Sequence, residues 1–121
     1  AVIMPAALSD FIPTNTKGKL DSSKAISLKM KKAPKIISSI RKKHKGLLYA
    51  FKLSAGITDK ELIQKAESLL KDADCVIANH SDAMGAKKSK IAIVEKKNVE
   101  WFEGSKNILS RKILEKISTE I

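Results

Sequence analysis

Two short apolar runs with a capped helix pattern between them constrain this chain more than any other feature. "LLYAFKL" (residues 47–53) and "CVIAN" (75–79) are almost continuously apolar, the signature of strands buried on both faces. Between them lies "TDKELIQKAESLLKDA" (58–73). Thr58 and Glu61 stand at capping-box spacing, and Leu62, Ala66, Leu69, Leu70 and Ala73 form one apolar stripe. A strand, an amphipathic helix and a second strand in this order make a crossover unit, whose two strands run parallel.

The alternation extends in both directions. "AVIMPAAL" predicts a strand over residues 2–8, and the weak alternation of Ile26, Leu28 and Met30 in "AISLKMKK" (25–32) predicts a half-buried one. Between them, "SDFIPTNTKGKLDSS" (9–23) is a long polar loop with little to bury. "APKIISSIRKKHKG" (33–46) predicts a helix: Pro34 suits the first turn, Ile36, Ile37 and Ile40 share a face, and Gly46 ends it. Arg41, Lys42, Lys43 and His44 crowd its last turn, where cations complement the helix dipole. "HSDAMGAKKS" (80–89) predicts a loop, and "KIAIVEK" (90–96) and "NVEWF" (98–102) predict strands. "SKNILSRKILEKISTEI" (105–121) predicts a terminal helix with Ile108, Leu109, Ile113, Leu114 and Ile117 facing inward. The whole predicts an α/β fold with a largely parallel sheet. Ligands of such sheets bind beyond the C-terminal ends of the strands. That singles out the loop after the first strand, the end of "LLYAFK" and "ANHSD".

At 121 residues and 43% hydrophobic, the chain has material for one core. No apolar run reaches the length of a membrane span, and "AVIMPAAL" lacks the basic flank of a signal peptide. The chain opens at Ala1 inside an apolar run, which raises the expectation that an N-terminal part is missing. Cys75 is the single cysteine and fits a small core residue in a reducing, cytoplasmic setting. His44 and His80 belong to no pattern with metal-ligand spacing, so no metal site is expected.

The net charge of +11 is unevenly placed. Residues 1–52 carry twelve Lys/Arg against Asp10 and Asp21, a net +10, whereas residues 53–121 carry twelve against eleven acids, a net +1. A basic first half meets nucleic acid or a small, highly charged anion. Aromatic content of 4% disfavours base-stacking modules, and without basic company beside it in sequence Trp101 does not support a nucleic-acid stacking platform.

The five glycines are scattered, with neither a dinucleotide fingerprint nor a phosphate-binding P-loop. Asp10 at a strand-end rim suits a ribose or metal contact as well as it suits a turn that accepts backbone N–H groups. Lys17 and Lys19 flank Gly18, and an ammonium there suits a polyphosphate or open solvent. Lys65 and Lys71 lie on and near the end of the capped helix, where most lysines are solvated. Phe51 suits a base stack or the core, and the Asn79 amide suits a ligand or a loop backbone.

Five motifs in order, "AALSDFIP", "GKLDSS", "LKMKKAPKII", "YAFKL" and "KAESLLKDADCVIAN", resemble the C-terminal half of phosphopantothenate–cysteine ligases. That family shows A-A-V-[AS]-D-[FY], G-K-I, P-[KD]-I-[IL] after Thr, Asn or Val, G-F-[KA]-x-E, and a lysine leading to A-D-x-[IV]-x-A-N. The archaeal and eukaryotic branch is nearest. The resemblance implies a Rossmann-like, three-layer fold of which residues 1–121 are the C-terminal part, without the glycine-rich N-terminal half.

The resemblance also implies a two-step ligation in coenzyme A biosynthesis. The carboxylate of 4′-phosphopantothenate attacks the α-phosphate of CTP or ATP with Mg²⁺ assisting, and pyrophosphate leaves. The amine of cysteine then displaces the nucleotide from the acyl carbon. Carried over residue by residue, nucleotide contacts fall on Met4, Pro5, Ala6, Asp10, Ala33, Pro34, Lys35, Ile36, Phe51, Lys65 and Lys71. Lys19 is the loop lysine that reaches the phosphates, and Asn79 is a candidate substrate contact. A homodimer is expected, with no membrane or nucleic-acid partner. Ser54 stands where the family has the acid after "AFK", His80 where it has an aspartate after the A-N pair, and "MGAKKSK" where it has F-G-S-x-x-N. Without the missing half the chain is expected to be inactive alone. The competing readings are a basic nucleic-acid-binding α/β domain and a non-catalytic nucleotide-binding homologue.

Overall fold

The structure is a computed structural model and describes residues 1–6, 8–15, 18–81 and 87–121. The chain divides into two compact units, one formed by Ala1–Ala6 with Ile37–Ile121 and the other by Ala7–Ile36.

The larger unit is a five-stranded sheet with helices on both faces. Its strands are β1 (Val2–Met4), β4 (Leu48–Ser54), β5 (Cys75–His80), β6 (Ser89–Glu95) and β7 (Asn98–Gly104), in the order β1-β4-β5-β6-β7. β1 and β5 each pair with β4 in parallel, whereas β6 runs antiparallel to both β5 and β7. Four of the five strands therefore point one way, and β6 alone is reversed. The reversal follows from the connections. Helix α2 (Asp59–Glu67) bridges β4 and β5, whereas β6 and β7 are joined by two residues, a link that only an antiparallel pair permits.

Alternation along the strands sorts the core into two layers. Leu48, Ala50, Val76, Ala78, Ala92 and Val94 face α2 and helix α1 (Ile36–Lys43), meeting Ile37, Leu62 and Ala66. Tyr49, Cys75, Ile77, Ile91 and Ile93 face helix α3 (Lys106–Glu120), meeting Leu109 and Ile117. The three-layer α/β fold expected from the sequence is what forms.

Local signals explain the helices. The Thr58 side chain accepts from Glu61 N at 3.3 Å, and Glu61 Oε2 accepts from Thr58 N at 2.8 Å, so the capping box closes. Ser105 caps α3 through Ile108 N. Helix α2 ends at Glu67, earlier than its apolar stripe suggests, and residues 68–72 continue as tighter turns. Leu69, Leu70 and Ala73 still reach the core from there.

Several expectations need correction. The first strand ends at Met4 rather than residue 8; of the rest of that run, Ala7 lies outside the described residues. Ile36, Ile108 and Leu114 are about half exposed, so the inner faces of α1 and α3 are narrower than their periodicity implies.

In the smaller unit, residues expected as a featureless loop supply a strand. β2 (Phe11–Pro13) pairs antiparallel with β3 (Met30–Lys32), Phe11 opposite Lys32 and Pro13 opposite Met30. The half-buried strand expected over 25–32 shrinks to the exposed residues 30–32. Thr14 holds the ribbon's far end, its N and Oγ1 both donating to Lys29 O at 2.9 Å. Gly18 takes φ +88°, a conformation that suits glycine. Lys17 lies outside the described residues.

Candidate functional site

Parallel strands deliver their C-terminal ends to one edge of the sheet, and three of the motif-bearing segments end there. β1 ends at Met4, with Pro5 and Ala6 following; Met4 is level with Ala50. β4 and β5 end side by side, with Leu53 opposite Asn79 and Ser54 opposite His80. Asn79 is partly buried and lies on the α3 side of the sheet, the side to which Phe51 points. Phe51 does not end its strand: it sits in the middle of β4 and packs against the core layer of Tyr49 and Ile77.

Lys65 and Lys71 fall elsewhere. A crossover helix runs against its strands, so α2 starts at the C-terminal edge and ends at the opposite one. Lys65 occupies its last turn and Lys71 the turns that lead into β5. Both are exposed, and both lie towards the strand N-termini. That edge is tied by Asp74, whose Oδ2 accepts from Leu48 N and from the Arg41 guanidinium, each at 2.8 Å. Arg41 in turn donates to the carbonyls of His44 and Gly46.

In the smaller unit the ribbon brings two candidate segments together. Asp10 does not stand at the end of β1, as expected, but directly before β2; Ala33 N donates to its carbonyl at 2.8 Å, so Asp10 and the start of the "APKI" segment (33–36) are neighbours. Asp10, Pro34, Lys35 and Ile36 are exposed there. Lys19 is exposed on the connection between β2 and β3, directly after Gly18. Asp21 is held in a local turn by Ser23, whose side-chain and backbone donors keep its carboxyl below the usual carboxylate range.

The structure adds a cluster at the C-terminal edge that the sequence did not single out. Asp59, the first residue of α2, accepts from His80 Nε2 at 2.8 Å and from Lys90 Nζ at 2.6 Å. Lys90 also lies over the Trp101 ring, 4.1 Å from its centroid. Trp101 therefore has basic company, against the sequence reading, but its partner is internal and occupies that ring face. The hydrogen bond from Lys90, and next that from His80, hold the Asp59 carboxyl below its ordinary range. The Thr58–Glu61 spacing and the "ANHSD" stretch each marked one side of this place in sequence; nothing joined them and nothing marked Lys90. Of the loop after His80, residues 82–86 lie outside the described residues, among them the first three of "MGAKKSK".

A second polar network lies under α3. Tyr49 is fully buried and its hydroxyl donates to Glu120, while Lys116 bridges Glu95 and Glu120 at 2.9 Å each. Burial, then the bond to Glu120, drives the Tyr49 hydroxyl far above its ordinary pKa. Burial pushes the Cys75 thiol up to about 12, which makes it an inert core residue, as expected. A shallow depression on the outer side of α3, lined by Arg111, Leu114 and Ser118, belongs to neither network. Among the described residues no helix is long and apolar enough to cross a membrane.

These features define a three-layer α/β domain in which Asn79 and His80 stand at the strand C-termini, the ligand edge of doubly wound sheets. Over residues 1–121 the chain matches the model of the DNA/pantothenate metabolism flavoprotein C-terminal domain, and it belongs to that family. It is 33% identical, over 96% of its length, to the coenzyme A biosynthesis bifunctional protein CoaBC of Methanocaldococcus jannaschii. It spans 30% of that relative. A solved DNA/pantothenate metabolism flavoprotein from Streptococcus pneumoniae superposes with a TM-score of 0.73 at 32% identity, over 84% of this chain and 45% of that one. The C-terminal domain of a CoaBC protein shares the fold, with a TM-score of 0.54 at 20% identity over 76% of this chain and 44% of that one.

Proposed function

We propose that this chain is the C-terminal part of a phosphopantothenate–cysteine ligase acting in coenzyme A biosynthesis in the cytoplasm, working as a homodimer together with an N-terminal half. The observation that carries the reading is the position of the family's motifs. The segments after β1 and at the ends of β4 and β5 meet at one edge of the sheet. Membership of the family along all 121 residues supports it.

In the first step the carboxylate of 4′-phosphopantothenate attacks the α-phosphate of CTP or ATP. The P–O bond to pyrophosphate breaks, and an acyl-nucleotide forms. The protein's share is positioning and charge, because negative charge grows on the oxygens being transferred. Lys19 supplies a point charge on a flexible stem to those oxygens. By the family resemblance, Met4, Pro5, Ala6, Asp10, Ala33, Pro34, Lys35, Ile36, Phe51, Lys65 and Lys71 are assigned to the nucleotide. Asn79 is assigned to the acyl substrate.

Mg²⁺ binds such sites chiefly through the phosphates and water. Among the described residues no group of three His, Cys, Asp or Glu side chains could hold a metal ion; Asp10 is the acid assigned to a metal or ribose contact. When bound with the triphosphate, the ion neutralises phosphate charge.

The test is Lys19→Ala in the complete enzyme, followed by pyrophosphate release with each nucleoside triphosphate. A fall of about a hundredfold or more in the nucleotide-transfer step is expected. Near-normal turnover would refute the role of Lys19, and no pyrophosphate release from the intact enzyme with any triphosphate would refute the ligase reading.

A further inference from the structure

His80 departs from the family pattern, and the structure shows what the departure builds. It is the last residue of β5, at the C-terminal edge of the sheet, one position beyond Asn79. Its side chain is 21% exposed, so the ring is neither sealed in the core nor free in solvent. Nε2 meets Asp59 Oδ1 at 2.8 Å. An ionised carboxylate only accepts hydrogen bonds, so Nε2 carries the hydrogen and the neutral ring leaves its lone pair on Nδ1. Among the described residues no group bonds Nδ1.

Asp59 is itself fixed. Lys90 Nζ holds its other oxygen at 2.6 Å, and Lys90 is seated on Trp101. Asp59 is also the first residue of α2, whose start is fastened by the Thr58–Glu61 box. A carboxylate held from two sides orients an imidazole, selects its tautomer and stabilises the imidazolium that forms when the ring takes a proton. Asp59 from α2 faces His80 with Lys90 from β6 behind it, and on β4, whose Ser54 lies opposite His80, Lys52 shares the same face of the sheet.

The geometry points to His80 as the proton acceptor of the amide-forming step, with Asp59 as its positioning residue. This inference rests on the ligase reading. The cysteine nitrogen attacks the acyl carbon, the new C–N bond forms, and the C–O bond to the nucleotide breaks. The nucleoside monophosphate leaves with the electron pair. The proton shed by the nitrogen passes to Nδ1 and from there to solvent. A base of imidazole strength suits this work near neutral pH.

The experiment is made on the complete enzyme with His80→Gln and Asp59→Asn, measuring pyrophosphate release and amide formation separately across pH. With His80→Gln, amide formation is expected to fall about a hundredfold or more, while pyrophosphate is still released and acyl-nucleotide accumulates. The acid limb of the amide-forming pH profile is expected to vanish. With Asp59→Asn the fall is smaller and the limb moves.

Amide formation by His80→Gln within a few-fold of the parent, with the limb intact, would overturn the inference. So would an equal loss in both steps with an unmoved limb, because that is how a merely structural clasp behaves. A thermal melt of each variant separates misfolding from either result: a folded variant that keeps its limb counts against the inference. If the parent enzyme releases no pyrophosphate with any triphosphate, the ligase reading has failed and His80 has no such step to serve.

Discussion

The Tyr49–Glu120 bond offers a stability test whose size follows from burial. Tyr49 has no exposed surface, and among the described residues its hydroxyl bonds Glu120 alone. Removing Glu120 leaves a buried donor without a partner, a loss of about 1–3 kcal/mol. Two effects of Glu120→Ala oppose each other, however. Glu120 is the last residue of α3, where a negative charge is disfavoured by the helix dipole by about 0.3–1 kcal/mol. Its removal recovers that amount but also takes one of the two carboxylates from Lys116. The single variant therefore mixes three terms, and the informative quantity is the coupling with Tyr49→Phe. Phenylalanine fills the same space without the hydroxyl, so Glu120→Ala in that background no longer orphans a donor. The cycle is expected to show a coupling of about 1–2 kcal/mol, with Glu120→Ala less harmful in the Tyr49→Phe background than in the parent. Urea unfolding read by Trp101 fluorescence, the chain's single tryptophan, measures all four corners. Coupling below about 0.5 kcal/mol, the level at which independent sites simply add, would show that the hydroxyl finds another partner and refute the reasoning.

Thr58→Ala opens the capping box and is expected to destabilise the fold by about 1 kcal/mol; Thr58→Ser, which keeps the hydroxyl, recovers most of this in the same urea titration. Stability is also expected to fall on the alkaline side. Lys116 is raised by its bonds to Glu120 and Glu95, Tyr49 by burial, and Cys75 by burial to about 12. A group with a raised folded pKa contributes fully below its unfolded value and loses that contribution as pH climbs through the folded one. The melting temperature is therefore expected to decline above roughly pH 8.5, where the unfolded thiol begins to ionise, and to decline less in Cys75→Ala. An equal alkaline slope in parent and variant would remove the thiol from this account.

The parts legible in the sequence were those in which local pattern and burial agree. The Thr58–Glu61 spacing and the continuous apolar runs of β4 and β5 each name one structure, and each formed. Periodicity failed where apolar residues serve no interior. Ile108 and Leu114 have helical spacing with Leu109 and Ile117, yet about half of each faces out, because α3 meets the sheet along a narrow line. The β2–β3 ribbon was hidden for a different reason. Its strands have three residues each, Pro13 ends one of them, and no strand residue is buried, so nothing in the hydropathy marks them. Of the candidate site, the strand-end residues were readable from order alone. The Asp59–His80–Lys90 cluster was not, because it joins the start of a helix to two strands and no spacing rule links positions 59, 80 and 90.

The two edges of the sheet are built to opposite specifications. At the strand N-termini, Asp74 and Arg41 bond backbone groups: Leu48 N, His44 O and Gly46 O. Those backbone atoms would lose their only described partners if the side chains moved, so the edge resists rearrangement. At the C-termini, among the described residues, the side chains of His80 and Lys90 bond the Asp59 carboxylate, and each of the three remains partly exposed. Surface ion pairs of this kind are worth about 1 kcal/mol or less, so the fold owes little of its stability to this edge, and its outward-facing atoms can take a ligand or water as a further partner. The edge that the fold holds rigid carries Lys65 and Lys71, whereas the edge free to change partners carries Asn79, His80 and the end of β1. A site that must admit an anion, hand on a proton and release a product needs side chains of the second kind anchored by a frame of the first. That division is the physical reason to look for the chemistry at His80 before either helix lysine.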